Sequence, residues 1–300
     1  MDKLIKELKG IVGDSCYVDE PMSKHTTFRC GGNAAVYVMP RNTEELAACI
    51  KACRASGIYH IVVGNGSNLL VSDKGIDGIV ISTKALDRID IEDDVINAGC
   101  GASLGAIANA ARDASLAGLE FAAGIPGSLG GGCVMNAGAY GGEMKDVLVS
   151  INVIDAAGET LVIPAGEAQF SYRNSIFLKE DHIVTGAVMK LRHGSYDEID
   201  AVMRDLAARR RDKQPLEYPS AGSTFKRPEG YFAGALIEEA GLKGKGFGGA
   251  CVSEKHAGFI INKDNALSDD VYRTIMMVKE EVKKHSGVEL ECEIRMIGEF

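Results

Sequence analysis

Apolar positions change their spacing repeatedly along the 300-residue chain, and each change marks an element. Leu46, Cys49, Ile50 and Cys53 recur at helical intervals behind Asn42 and Glu45, a pair spaced as a capping box. Short β-branched runs surround this helix at 34–39, 60–63, 79–82 and 95–98. The pattern predicts a helix over 105–117 and a hairpin of 151–154 with 160–163, turned around Gly158. A strand near 183–191 precedes a helix whose apolar face is Ile199, Val202, Met203 and Leu206. That helix closes on Arg209, Arg210 and Arg211, before Lys213 and Pro215, and the arginines read as a solvated helix end. Beyond about residue 220 come a Gly-rich stretch, a strand at 258–261, and a long helix carrying Val271, Ile275, Val278 and Val282. An alternating segment, 289–297, then predicts a strand with Glu293, Arg295 and Ile297 on one face. With no internal repeat, this is an α+β chain whose texture breaks near 205–215.

Composition narrows the function. The 33 Lys+Arg against 42 Asp+Glu leave a net charge of −9, without the basic excess that nucleic-acid binding needs. No apolar run reaches the roughly 18–20 residues of a membrane span, and MDKLIKELKG lacks a signal-peptide core, so a cytoplasmic protein is expected. The eight cysteines are scattered without a CxxC pair, and there is no HExxH, so no metal site is expected and the thiols read as reduced. Cys49 and Cys53 read as core packing.

The 36 glycines concentrate in two stretches, and these carry the first functional signal. One is Gly64-Asn65-Gly66-Ser67-Asn68, directly after a strand; the other runs from Phe121 to Glu143. Glycine allows close backbone approach, and successive amides in such turns form anion-binding nests suited to phosphate. Neither common nucleotide fingerprint is present: Leu69 stands where a Rossmann third glycine belongs, and no Walker A pattern occurs. Gly101-Ala102-Ser103-Leu104-Gly105 fits the GxSxG pattern of a hydrolase elbow, but no oxyanion segment or partner His and Asp can be chosen. A helix N-cap at Ser103 is the simpler reading, with a serine hydrolase as the alternative.

The two glycine segments occur with His25-Thr26-Thr27-Phe28, Ser171-Tyr172-Arg173-Asn174-Ser175, Ala221-Gly222-Ser223-Thr224-Phe225-Lys226 and Glu291-Cys292-Glu293-Ile294-Arg295. Together, from about residue 20 onward, they resemble the UDP-N-acetylenolpyruvoylglucosamine reductase family, in its shorter second type. The resemblance implies a two-subdomain FAD-binding region of the vanillyl-alcohol-oxidase (PCMH) kind plus a C-terminal α+β substrate-binding domain. It divides the chain as 1–84, 85–204 and 205–300. It implies non-covalent FAD held by Gly64, Asn65, Gly66, Ser67, Asn68, Leu69, Gly124, Pro126, Gly127, Ser128, Gly131, Asn136 and Gly138. NADPH is the implied hydride donor, and the implied substrate is UDP-N-acetylglucosamine-enolpyruvate, reduced to UDP-N-acetylmuramate for peptidoglycan. In that reaction hydride passes from flavin N5 to C3, Ser223 protonates C2, and Arg173 with Glu293 stabilises the enediolate. Tyr172, Lys213, Lys226, Arg227 and His256 fall at substrate-contact positions, with Arg227 where longer members carry Asn. A monomer is expected.

Overall fold

A computed structural model describes residues 1–300. The chain forms two compact units. One comprises Met1–Val18, Val36–Asn65 and Gly78–Arg210; the other comprises Asp19–Ala35, Gly66–Asp77 and Arg211–Phe300. Residues 19–35 and 66–77, in the first subdomain of the sequence division, therefore group with the C-terminal residues.

In the first unit the helix Thr43–Ser56 opens as its sequence requires. Asn42 Oδ1 accepts from the Glu45 amide at 2.8 Å, and Gly57 ends the helix with φ 67°. Its face buries Leu46, Cys49, Ile50 and Cys53, and burial pushes the Cys49 thiol up to about 12. All eight cysteines are free. Strand His60–Val63 pairs in parallel with Ile79–Ser82, so its C-terminal end delivers Gly64 and Asn65. A five-stranded antiparallel sheet runs in the order Thr160–Pro164, Leu148–Ile154, Ile183–Lys190, Val95–Gly99, Ile89–Glu92. The hairpin turns through Gly158, whose φ of 88° suits glycine.

Two helices of this unit differ from the pattern reading. The segment expected to be helical over 105–117 is helical only at Leu104–Asp113. Ser115 adopts φ 57°, and the chain swings into the strand Leu116–Ala117, paired with Arg192–His193. Ser103 is the N-cap: its Oγ accepts from the Ala106 amide at 3.1 Å, which explains the GxSxG match without a nucleophile. In the helix Tyr196–Lys213, Ile199 and Met203 are buried, but Val202 is 47% exposed. Asp200 is buried in its stead, because Arg112 reaches it at 3.2 Å and Arg204 pairs with it one turn away.

The second unit packs the helix Ser268–Ser286, through Val271, Ile275, Val278 and Val282, against a three-stranded antiparallel sheet. Its strands are Gly246–Phe247, Ala250–Val252 and Ile260–Asn262, the last displaced from the expected 258–261. Asp73 starts that helix from a distant segment, accepting from the Ser268 and Asp269 amides at 2.9 and 2.8 Å. The alternating stretch 289–297 is not one strand. Only Arg295–Ile297 is, parallel to Leu69–Val71, while Cys292 bridges antiparallel to Phe225. Changing partners in mid-segment breaks the period, so Ile294 and Ile297 are both buried.

Candidate functional site: a phosphate bed and two anchored polar clusters

Gly64 and Ser128, from the two glycine stretches, meet in the first unit. A Cβ at Gly64 would lie 2.0 Å from Ser128 Oγ, so a larger residue there would displace that hydroxyl. Ser128 precedes the helix Leu129–Met135, yet its hydroxyl makes no capping bond. The amides of Leu129 and Gly130 donate instead to the carbonyls of Ala102 and Cys100, both at 2.8 Å. Ser128 is 2% exposed, and its Oγ has no partner. A buried hydroxyl left unpaired costs about 1–3 kcal/mol, which an acceptor oxygen on a ligand would offset. Around it, Asn65 Nδ2 donates to the Pro126 carbonyl at 3.3 Å, and the Leu104 amide donates to Gly127 O at 3.0 Å. Gly131 lies at the exposed rim. The fixed turns, the bare glycine and the orphaned donor fit a phosphate-bearing group.

Asn136 corrects one expectation. It is fully buried with φ 42°, and its side chain is consumed inside the protein. Nδ2 donates to Glu143 Oε2 at 2.9 Å and to Ser171 O at 3.1 Å, while Oδ1 accepts from the Lys145 amide at 3.0 Å. This residue ties Gly138 and the Arg173 turn to the glycine segment and leaves no side-chain donor for a cofactor.

Arg210 corrects another. It is half-buried in a cleft of about 260 Å³ lined also by Arg112, Gly124, Tyr140 and Arg204. Its Nε and Nη1 are buried without partners, and burial pulls the guanidinium pKa down against the favourable pull of Tyr140. The signal was present in sequence: Met203, Leu206, Ala207 and Arg210 share one helical face.

Arg173 sits in a closed turn. Ser171 N donates to Asn174 O at 3.1 Å and Asn174 N returns to Ser171 O at 3.2 Å, while Ser175 Oγ anchors the turn on Val134 O at 2.7 Å. Arg173 itself adopts φ 51°, a strained value for a non-glycine residue. Its guanidinium stacks on Tyr172 at 5.1 Å and donates to Gly138 O at 3.4 Å.

In the second unit, Gly66 has φ 66°, and a Cβ there would strike His25 O at 2.0 Å. Asn68 holds residues far along the chain: Nδ2 donates to Glu293 O at 3.0 Å, and its carbonyl accepts from Arg295 N at 2.9 Å. Leu69 begins the strand paired with Arg295–Ile297, and Ser67 is half-buried beside it in the loop. The segments of Ser223 and Glu293 are adjacent. Glu293 N donates to Thr224 O, and Lys226 N donates to Glu291 O, each at 2.9 Å. Ser223 is exposed and Glu293 half-buried. Lys226 pairs with Glu291, and Arg227 stacks on Phe232 at 4.0 Å. His256 Nδ1 accepts from the Gly258 amide at 3.1 Å, and burial pulls its pKa below the ordinary imidazole value. Lys213, the last residue of its helix, is exposed.

Residues 34–163 match the FAD binding domain family, and 214–297 match the family described as UDP-N-acetylenolpyruvoylglucosamine reductase, C-terminal domain. The fold of the first region also resembles a glucose oxidase variant of Phl p 4 (TM-score 0.51, 15% identity), over 63% of this chain and 44% of that one. The first region is thus an FAD-binding domain, and joined to the C-terminal domain of a reductase family it defines the class as an FAD-dependent oxidoreductase.

The chain is 50% identical over 297 residues to the UDP-N-acetylenolpyruvoylglucosamine reductase of Caldanaerobacter subterraneus subsp. tengcongensis, covering 99% of this chain and 98% of that protein. It is 52% identical to the enzyme of the same name from Agathobacter rectalis, over 94% of each. The crystal structure of the Thermus caldophilus reductase superposes with a TM-score of 0.81 at 34% identity, over 94% of this chain and 98% of that one. The chain belongs to the UDP-N-acetylenolpyruvoylglucosamine reductase family.

Proposed function

We propose that this protein reduces the enolpyruvyl ether of UDP-N-acetylglucosamine-enolpyruvate to UDP-N-acetylmuramate, a peptidoglycan precursor, with NADPH as reductant. The reading takes the protein as a cytoplasmic monomer. The observation that carries it is the near-full-length correspondence to reductases of that name at about half identity. The orphaned hydroxyl of Ser128 beside Gly64 supports FAD as the bound group.

FAD, when bound and reduced, supplies hydride to C3 of the enolpyruvyl group. The remaining work belongs to side chains. Negative charge then develops at C2 and spreads into the adjoining carboxylate. Arg173 offers that carboxylate a planar fork of donors, pre-set by its closed turn, where charge grows during the reaction. Ser223 gives its hydroxyl proton to C2, a carbanion-like centre more basic than the serine alkoxide left behind, which regains its proton from water. Glu293 stands beside the enediolate as its acidic partner. Tyr172, Lys213, Lys226, Arg227 and His256 are assigned to the substrate. Lys226 reaches it by exchanging Glu291 for a substrate oxygen. Arg210, a half-buried cation with orphaned Nε and Nη1 donors, is added as a holder of a ligand oxygen at Gly124.

The purified protein should show flavin bands near about 370 and 450 nm that pass a filter after denaturation. In Ser223→Ala, NADPH should bleach the flavin at the wild-type rate, while reoxidation by substrate slows about 10²–10⁴-fold. Equal slowing of both half-reactions removes Ser223 from proton transfer.

A further inference from the structure

The motif His25-Thr26-Thr27-Phe28 has no assigned role in the chemistry above, yet it forms the back of the Gly66 turn. Thr27 N donates to Gly66 O at 3.2 Å, and the carbonyl of His25 occupies the space that a Gly66 side chain would need. Two threonines adjoin, and their hydroxyls differ. Thr26 Oγ1 donates to the Cys30 carbonyl at 3.1 Å. Thr27 Oγ1 is buried and has no partner.

The buried side-chain polar atoms without a hydrogen bond fall on Thr27, Ser128, His182, Arg210 and Ser268, of which His182 Nδ1 still lies 3.1 Å from Glu180 Oε2. Ser128 adjoins Gly64, Arg210 adjoins Gly124, and Thr27 is tethered to Gly66, so three of the five abut glycines of the cofactor stretches. Orphans distributed in this way are donors awaiting a ligand rather than packing faults, because each costs about 1–3 kcal/mol if nothing accepts from it. The loop Gly64–Asn68 offers small residues and amide donors, the setting in which phosphate oxygens are the natural acceptors.

We propose that Thr27 Oγ1 donates a hydrogen bond to the diphosphate of the dinucleotide cofactor, making the His-Thr-Thr-Phe motif part of the cofactor bed. This rests on the reading of the glycine loop as the FAD phosphate site. A charge-assisted bond of this kind contributes about 10- to 150-fold in affinity.

The test uses full-length protein stripped of flavin, titrated with FAD and, separately, with ADP, which carries the same diphosphate without the flavin. Thr27→Val keeps the shape and removes the donor. FAD and ADP dissociation constants should both rise about tenfold or more, while Thr27→Ser, which keeps the hydroxyl, stays within about threefold of wild type. The flavin-free Thr27→Val protein should melt at or above the wild-type temperature, since an unpaired hydroxyl has been removed. Wild-type affinity in Thr27→Val overturns the proposal. So does a loss for FAD with ADP unchanged, which would move the contact to the flavin half. Weaker binding accompanied by a lower melting temperature of the flavin-free protein assigns Thr27 to structure and also overturns it. Should the valine variant not fold, Thr27→Ala is read by the same criteria. A wild-type protein that binds neither FAD nor ADP refutes the cofactor reading itself, a result distinct from all of these.

Discussion

Arg173 and the Ser223–Glu293 pair are held by opposite means. The arginine turn is local: four consecutive residues close on themselves, and Asn136 and Ser175 pin the result to the glycine segment. Ser223 and Glu293 come from segments about seventy residues apart, joined by a short backbone ladder and the Lys226–Glu291 pair, with Asn68 holding the Glu293 segment. A local turn can store strain, since its own hydrogen bonds over-determine it, and Arg173 with φ 51° does so. A ladder between distant segments cannot be strained so cheaply. Its residues keep ordinary backbone and depend on everything that holds the two strands in register.

Three measurements probe that contrast. The largest effect is expected from Arg173→Gly, which removes the cation and relaxes the left-handed backbone together. Reoxidation of the reduced flavin by substrate should fall about 10³-fold. Equilibrium urea unfolding should meanwhile show stability unchanged or higher by up to ~1 kcal/mol, because released strain offsets the added chain entropy of glycine. A clear loss of stability would show that the turn stores no strain.

Asn136→Ala strips three hydrogen bonds from a buried site and places alanine at a left-handed position. It should destabilise the protein by about 3 kcal/mol in urea unfolding. The second half-reaction should suffer as the Arg173 turn loosens. Activity and stability both within error of wild type would remove Asn136 from its supporting role.

The smallest effect is a pH dependence on the ladder side. Nδ1 of His256 accepts from Gly258 N, and Gly258 O accepts from Thr224 N, next to Ser223. Protonation would take away that acceptor. The folded pKa lies below the ordinary imidazole value, chiefly through burial. The sign follows: the unfolded chain binds the proton more readily, so stability from His256 is fully present above about pH 6.5. It is lost as pH falls from there through the folded value. Urea unfolding across that range should show stability rising with pH, by at most ~1.4 kcal/mol per unit from this group. The His256→Gln protein should lack that component; an identical slope in both proteins would contradict the assignment.

Much of the local architecture was legible from spacing alone. Asn42 and Glu45 announced their helix, Gly158 its hairpin, and Ser103 its cap, because each is decided by neighbours within one turn. The glycine stretches likewise marked tight turns, since close backbone approach at Gly64 and positive φ at Gly66 favour glycine there. The stretch 289–297 misled because its alternation is shared between two partners, Phe225 and Leu69–Val71, that no local pattern names. Val202 and Asp200 exchanged places because Arg112, from another helix, made burial of a carboxylate favourable. Arg210 looked solvated in a run of arginines, although its helical face pointed inward.

From sequence by itself came the elements, their caps and the glycine turns, all properties of short-range geometry and residue type, while the catalytic side chains were named by resemblance and stand as proposals. Tertiary structure alone decided which polar atoms are spent and which are left over. Asn136 is consumed within the fold, whereas the hydroxyls of Ser128 and Thr27 and the Nε and Nη1 of Arg210 are not. The physical reason is that hydrogen-bond satisfaction is a property of the assembled neighbourhood: a donor's partners come from segments whose arrival only the fold arranges.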